Sequence, residues 1–190
     1  MTRWQKKNEA KLQFITGNVY RRLPLFRSPE FCSLLLGSLE YCRRKYCVQV
    51  HGFVIMPNHF HLLVAVPSPD ILSPFLRDCK GYTARLIVDS LRKQGKQRCL
   101  KAIRGKNPKR HKDSVFHVFQ ADTHVEGVYS VRFARQKLDY MHKNPLQAGL
   151  VQRMVDYRYS SARNWLLGDQ SVFKIDPVEL WSPQRRKPLG

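Results

Sequence analysis

Apolar residues that alternate with polar ones mark two stretches of the chain as β-strands. The first is residues 12–20, which ends at a pair of arginines. The second is the run VIMPNHFHLLVAV at residues 54–66, which we predict as one central strand that ends at Pro67. Shorter apolar runs predict a strand at residues 46–50 before it and a last strand at residues 115–119.

Three segments carry apolar residues at the three- and four-residue spacing of an amphipathic helix. The first two begin at Pro29 and Pro74, each after a serine, because serine is a favoured N-cap and proline suits the first helical position. The third runs from Val128 to His142 and stops at Asn144 and Pro145. The order of elements predicts an α+β class: a ferredoxin-like antiparallel sheet with helices on one face, the other face being free to bind.

The charge of the chain is the first indication of a partner. The 190 residues carry 34 Lys and Arg against 14 Asp and Glu, a net charge of +20, which far exceeds what solubility requires and favours a polyanion such as nucleic acid. The basic residues crowd a stretch at 92–113, which we predict to be a basic loop. We predict one domain over residues 1–166 and a basic C-terminal tail over 167–190.

Nothing in the sequence predicts a membrane or an oxidising compartment. The chain has no apolar run of 18 residues and no charged-then-apolar leader, so we expect it in the cytoplasm, associated with the nucleoid. Five cysteines form an odd set without any C-x-x-C spacing, which argues against a disulfide framework and a thiolate zinc site. We expect them to be reduced and structural.

His59 and His61 are the first candidates for chemistry. Side chains two apart on a strand point to the same face, so the two imidazoles lie side by side while Phe60 points away. Such a pair is half of a metal site, although each histidine could equally have a packing role. A third ligand must come from elsewhere in the chain.

The third predicted helix offers that ligand and a nucleophile. Tyr140 and Asn144 are four residues apart and share a helix face if the helix continues to Asn144. Two imidazoles and one amide oxygen suit Mg²⁺ or Mn²⁺ better than a closed zinc site, and leave positions open for phosphate oxygens. Tyr140 is then free to act as a nucleophile. No general base for its phenol stands out, with Lys143, His142 and water all open as choices.

These residues carry a family resemblance. The segment MPNHFHLL at residues 56–63, the segment YMHKNPLQAGLV at 140–151, the opening YRRLPLF at 20–26, and VFQ and DYRYSSA further on resemble the REP-associated tyrosine transposases. Those proteins are relatives of the IS200-type single-tyrosine transposases, with their histidine-hydrophobe-histidine motif. The likeness covers roughly residues 12–165.

The resemblance implies a function for each motif position. His59 and His61 bind a divalent metal, Asn144 is the third ligand, and Tyr140 attacks a phosphodiester of single-stranded DNA. The product is a 5′-phosphotyrosine and a free 3′-OH, and the substrate is a hairpin or palindromic repeat. The alternative is a catalytically silent single-strand-binding protein of the same fold, and side chains alone do not separate DNA from RNA.

Two further expectations concern partners. A monomer is favoured over the homodimer of shorter relatives, because the longer tail would cover the pairing surface within one chain. Candidate DNA contacts are basic residues spread over four segments: Arg21, Arg22, Arg85, Arg104, Lys109 and Arg110.

Overall fold

A computed structural model describes residues 11–105 and 115–176 of the protein. Its centre is a four-stranded antiparallel sheet in the order β2-β3-β1-β4. The strands are β1 (Leu12–Val19), β2 (Gln49–Met56), β3 (His59–Ala65) and β4 (Phe119–Val128). The predicted α+β class with an antiparallel sheet is confirmed.

Five α-helices surround the sheet in the described part of the chain. They are α1 (Pro29–Tyr46), α2 (Pro69–Lys93), α3 (Gln97–Ala102), α4 (Val131–Gln147) and α5 (Ala162–Leu167). The described part of the chain also has two 3₁₀ turns between β1 and α1, at Tyr20–Arg22 and Leu25–Arg27, and one between α4 and α5, at Met154–Asp156. Within the described ranges, no helix is both long and apolar enough to cross a membrane.

The two faces of the sheet are covered differently. One face packs against α1 and α2 in the larger core, where Phe53, Phe60 and Phe75 are fully buried. The other face packs against α4 through a smaller cluster that includes Phe14 and Leu63. Helices were expected on one face only, which is true of α1 and α2, whereas α4 occupies part of the face expected to be free.

Two strand predictions were wrong in detail. Residues 54–66 form a β-hairpin instead of one strand, because Pro57 and Asn58 interrupt the ladder between β2 and β3. The last strand begins at Phe119 instead of Val115 and runs ten residues along β1. Its alternation is weak because it is an edge strand with several exposed positions.

The predicted helix bounds also shifted. The last long helix begins at Val131 because the Ser130 hydroxyl caps it, accepting a hydrogen bond from the Phe133 backbone N–H at 3.2 Å. It continues through Pro145 to Gln147. The shared face of Tyr140 and Asn144 therefore exists, since both residues are helical.

The predicted loop and tail boundaries differ from the described structure. Residues 97–102 of the basic stretch form helix α3, and Leu100 is buried in the larger core. Phe173 and Ile175 are buried in the same core, although the tail was predicted to begin at residue 167. Each segment carries apolar residues that gain free energy by burial, which outweighs its basic composition.

Candidate metal and nucleophile site

The two histidines of β3 lie together on the face that α4 partly covers. The centroids of the His59 and His61 rings are 4.9 Å apart, with the ring planes at 79°. His61 is buried and His59 is half-buried. His59 and His61 therefore share one face of the sheet as predicted, and they lie at the start of β3.

Each imidazole is oriented by a hydrogen bond to its Nδ1 atom. Thr16, opposite His61 on β1, places its hydroxyl oxygen 2.8 Å from His61 Nδ1. Asn58 places its amide oxygen 2.7 Å from His59 Nδ1, and because that oxygen can only accept, Nδ1 of His59 carries the proton. In both rings Nδ1 is engaged by a neighbouring side chain and Nε2 is the nitrogen left for another partner, as in proteins where a second residue orients a metal-ligating histidine.

The electrostatic surroundings keep both imidazoles neutral. Burial lowers the pKa of His61 to about 3, and the positive charges of His59 and Lys137 act in the same direction. Burial, and then the charge of Arg22, lowers the pKa of His59. Neutral imidazole is the form that binds a metal ion, so both side chains are ready to do so at neutral pH.

One observation supports a divalent metal ion at the His59 and His61 pair. His61 Nε2 is buried without a hydrogen-bond partner, which costs free energy unless another group meets it. Among residues 11–105 and 115–176 no group of three or more His, Cys, Asp or Glu side chains is placed to hold a metal ion. An amide oxygen such as that of Asn144 is a ligand of the kind Mg²⁺ and Mn²⁺ accept.

Tyr140 stands beside this pair. Its ring packs edge-on against His61, with centroids 5.4 Å apart, and against Phe14 at 6.2 Å. The side chain is 47% exposed, so the phenol is in contact with the histidine site and still open to a large substrate. Of the predicted site residues, the structure brings His59, His61 and Tyr140 together.

Asn144 lies one helical turn beyond Tyr140. Its amide nitrogen donates a hydrogen bond of 3.0 Å to the Tyr140 backbone carbonyl. That bond holds the side chain along the helix and leaves the amide oxygen for another partner. The described contact is with its own helix, and its role as a metal ligand stays a prediction.

Helix α4 is held close to β2, which fixes where Tyr140 stands. Gly52 on β2 makes the approach possible, because a methyl group there would lie 2.7 Å from both Leu138 Cδ2 and Met141 Cε. The His142 ring is buried, with Nε2 2.8 Å from the Ser161 hydroxyl oxygen. His142 therefore anchors the helix on the side opposite the exposed Tyr140 phenol, a position unsuited to a general base.

The predicted DNA contacts fall into three groups. Arg21 and Arg22 are exposed in the turn after β1, both with left-handed backbone (φ 55° and 56°), and Arg22 is near enough to lower the pKa of His59. Arg104 belongs to the same end of the sheet, because the neighbouring His117 backbone bonds to Ile103 and its ring packs on Tyr20 at 5.4 Å. Arg85 is exposed on α2, on the other side of the sheet from the histidines. Lys109 and Arg110 lie outside the described residues.

Sequence reasoning singled out Lys143 but missed three other cations on the helix of Tyr140: Arg132, Arg135 and Lys137. Lys137 is largely buried, paired with Glu126 at 2.6 Å, and lies 4.9 Å from the centroid of the Phe14 ring. A shallow groove of about 660 Å³ runs along α4, lined in part by Tyr140 and the basic residues Arg132, Arg135 and Lys143. Their spacing of three or four residues from Tyr140 or from one another was the available signal.

Comparison with known proteins shows the family of the chain and its fold. The family model for IS200-like transposases matches residues 6–103, just over half of the chain, and the chain belongs to this family. A solved structure of a REP-associated tyrosine transposase bound to a REP hairpin has a similar fold: the TM-score is 0.61 at 18% identity, over 90% of this chain and 88% of that one. A structure assigned as a transposase from Deinococcus radiodurans R1 aligns with a TM-score of 0.43 at 17% identity, over 68% and 86% of the two chains. No curated protein matches the sequence.

Proposed function

We propose that this protein is a single-stranded DNA endonuclease and strand transferase that moves DNA through a covalent 5′-phosphotyrosine on Tyr140. The observation that carries the proposal is the contact between the exposed Tyr140 ring and His61, whose Nε2 is buried without a partner. A nucleophile beside an unsatisfied imidazole is more than a DNA-binding surface requires. The strand-transfer function therefore explains the site better than binding alone.

The chemical step conserves the energy of the phosphodiester. The Tyr140 phenol oxygen forms a bond to phosphorus, and the bond from phosphorus to the 3′ oxygen of the preceding nucleotide breaks. The phenol proton passes to water, and the departing oxygen takes up a proton to become a free 3′-OH. Attack by another 3′-OH reverses the step and joins two strands without ATP.

His59, His61 and Asn144 would hold a Mg²⁺ or Mn²⁺ ion next to Tyr140. When bound, such an ion supplies Lewis-acid stabilisation of the phosphate charge that grows during the transfer. The protein's own contribution is to orient the imidazoles through Thr16 and Asn58 and to keep them neutral. Lys137 and Arg22 place positive charge near the histidines, where it lowers the pKa of His61 and of His59 respectively.

We propose a hairpin or palindromic repeat with single-stranded flanks as the substrate, on nucleoid DNA in the cytoplasm. The support is the family, the net charge of +20, and the fold shared with the transposase that was solved with a REP hairpin. Arg21, Arg22 and Arg104 at the histidine end of the sheet, and the basic groove along α4, are suited to flanking phosphates.

We propose that the protein acts as a monomer. Strand β2 lies at one edge of the four-stranded sheet. Its outer side is already hydrogen-bonded to a later segment of the same chain. Ile55 N–H donates to Tyr159 O at 2.9 Å, Ser161 N–H to Phe53 O at 2.8 Å, and Asp176 N–H to Val50 O at 2.8 Å. Light scattering on the protein as it elutes from a size-exclusion column should give the mass of a monomer. A dimer mass would contradict this part of the proposal.

The direct test is adduct formation. The protein is incubated with Mn²⁺ and labelled stem-loop oligonucleotides whose single-stranded flanks are randomised, and products are separated under denaturing conditions. We expect a covalent protein–DNA band that requires Mn²⁺ and disappears in Tyr140→Phe, while binding of the same DNA persists. Tyr157→Phe is the matched control, since its hydroxyl donates to Ile55 O within the fold. An adduct that persists in Tyr140→Phe would overturn the assignment.

A further inference from the structure

A second unpartnered polar atom lies on the histidine face, on the neighbouring strand. Asn18 is the last residue of β1 that pairs with β3, and its partner across the ladder is His59. Side chains directly opposite on antiparallel strands share a face, with Cβ atoms about 5 Å apart. Asn18 therefore points to the same face as His59, His61 and Thr16.

The Asn18 amide oxygen is buried and has no hydrogen-bond partner. Leaving such an oxygen unsatisfied costs free energy, so its presence here favours a partner that the protein itself does not supply. His61 Nε2 is in the same condition on the same face. Two unpartnered polar atoms, one nitrogen and one oxygen, lie on adjacent strands, and an imidazole nitrogen and an amide oxygen are both possible ligands of a cation.

An irregularity in strand β4, opposite Asn18, leaves space beside the Asn18 side chain. The register between β1 and β4 shifts between Gly17 and Val19, so that Asn18 faces a bulge of β4 instead of a regular partner. Lys80 from α2 fixes that bulge by donating to the Gln120 carbonyl at 2.8 Å and to the Thr123 hydroxyl at 2.8 Å. The bulge removes the cross-strand neighbour that would otherwise lie beside the Asn18 side chain.

We propose that the Asn18 amide oxygen is an additional ligand of the divalent ion, contributed by the sheet. The inference rests on the proposed function, because it takes the ion to be held by His59 and His61. An amide oxygen suits Mg²⁺ and Mn²⁺, so Asn18 would join the two imidazoles and Asn144 in a ligand set of the kind these ions accept. Since β1 and β3 are paired directly, three of these ligands are fixed in one rigid sheet, independently of where α4 and Tyr140 lie.

The experiment measures Mn²⁺ binding without DNA, by calorimetric titration of the full chain. In Asn18→Ala we expect the Mn²⁺ dissociation constant to rise about tenfold or more, while the melting temperature in EDTA stays equal or rises because an unsatisfied oxygen is gone. In Asn18→Asp we expect tighter Mn²⁺ binding, since the carboxylate adds charge to the same position. Ser38→Ala is the matched control: it also removes a buried unpartnered oxygen, but on α1, and should leave Mn²⁺ affinity unchanged.

The outcomes separate this inference from the proposed function. If wild type and Asn18→Ala bind Mn²⁺ within twofold of each other while His61→Ala abolishes binding, the Asn18 assignment is wrong and the histidine site stands. If Asn18→Ala weakens binding but no DNA adduct forms on Tyr140, the ligand assignment stands and the proposed reaction fails. Wild-type protein that binds no Mn²⁺ overturns both.

Discussion

The Tyr140 ring packs edge-on against the His61 ring, with the two planes at 67° and the centroids 5.4 Å apart. One residue comes from a helix that packs on the sheet and the other from a central strand, so the contact depends on how α4 is docked. His61 is in turn stacked on Phe14 and bonded to Thr16, both on β1. Tyr140, the candidate nucleophile, therefore packs against a side chain whose orientation is fixed by both the Phe14 ring and the Thr16 hydroxyl.

Thr16 should control metal affinity without touching the metal. Thr16→Val keeps the shape of the side chain but removes the oxygen 2.8 Å from His61 Nδ1, leaving the ring's tautomer and orientation unset. We expect a 10- to 100-fold loss of Mn²⁺ affinity, measured by titration of the protein without DNA. Thr16→Ser retains the hydroxyl and should restore most of that affinity. Equal affinities for the Val and Ser variants would contradict the orienting role.

Gly52 should be intolerant of any side chain because α4 packs on it. In Gly52→Ala the new methyl group would lie 2.7 Å from Leu138 Cδ2 and Met141 Cε, so these two side-chain ends must repack, and we expect the repacking to displace α4. We expect a loss of about 1–3 kcal/mol in the free energy of unfolding and slower adduct formation, because the shift moves Tyr140. Chemical denaturation and the adduct assay measure the two effects.

Gly37→Ala is the matched control for that prediction. Gly37 is on α1, where an added methyl group meets nothing within 4 Å, so alanine should be neutral or stabilise the helix by up to about 1 kcal/mol. Adduct formation should be unchanged. A Gly52→Ala protein as stable and as active as Gly37→Ala would show that α4 does not depend on the close approach.

Stability should fall in mild acid because His142 is buried in its neutral form. Burial lowers the pKa of His142 from 6.5 to about 4. Between these values the unfolded chain binds more protons than the folded one, so the stabilisation is complete above pH 6.5 and is lost as the pH falls toward 4. The contribution is on the order of 3 kcal/mol.

Denaturant unfolding in EDTA, from pH 4 to pH 8, measures this dependence. His142→Gln cannot titrate but can still pair with the Ser161 hydroxyl, so its free energy of unfolding should vary less with pH than that of wild type. His61, also buried and neutral, retains its own contribution in both proteins. Parallel pH curves for the two proteins would rule out His142 as a source of the acid sensitivity.

Alternation and helical spacing were sufficient to predict that His59 and His61 share one face of a strand and that Tyr140 and Asn144 share one face of a helix, because these positions depend only on local backbone periodicity. They failed where tertiary context decides. The alternation of residues 54–66 continues across Pro57 and Asn58, so the hairpin turn is hidden within an apolar run. The side of the sheet that α4 takes depends on contacts of Leu138 and Met141 with β2, which no periodicity encodes.

Asn18 and Lys137 illustrate the same limit within the site. Asn18 reads as an ordinary polar position near the end of a strand, and only its pairing with His59 reveals which residue it faces. Lys137 reads as one more cation in a basic chain, and its pairing with Glu126 and proximity to Phe14 depend on β4 and β1. Both are therefore products of strand register and helix docking.

The central claim is that the Tyr140 oxygen becomes bonded to a DNA phosphate, and peptide mass spectrometry measures this directly. The adduct from the Mn²⁺ reaction is digested with nuclease and protease, and the peptide carrying a residual nucleotide is sequenced by fragmentation. We predict the nucleotide mass on Tyr140, joined through a 5′ phosphate. A nucleotide on Tyr157 or Tyr159, or on no tyrosine, would contradict the account.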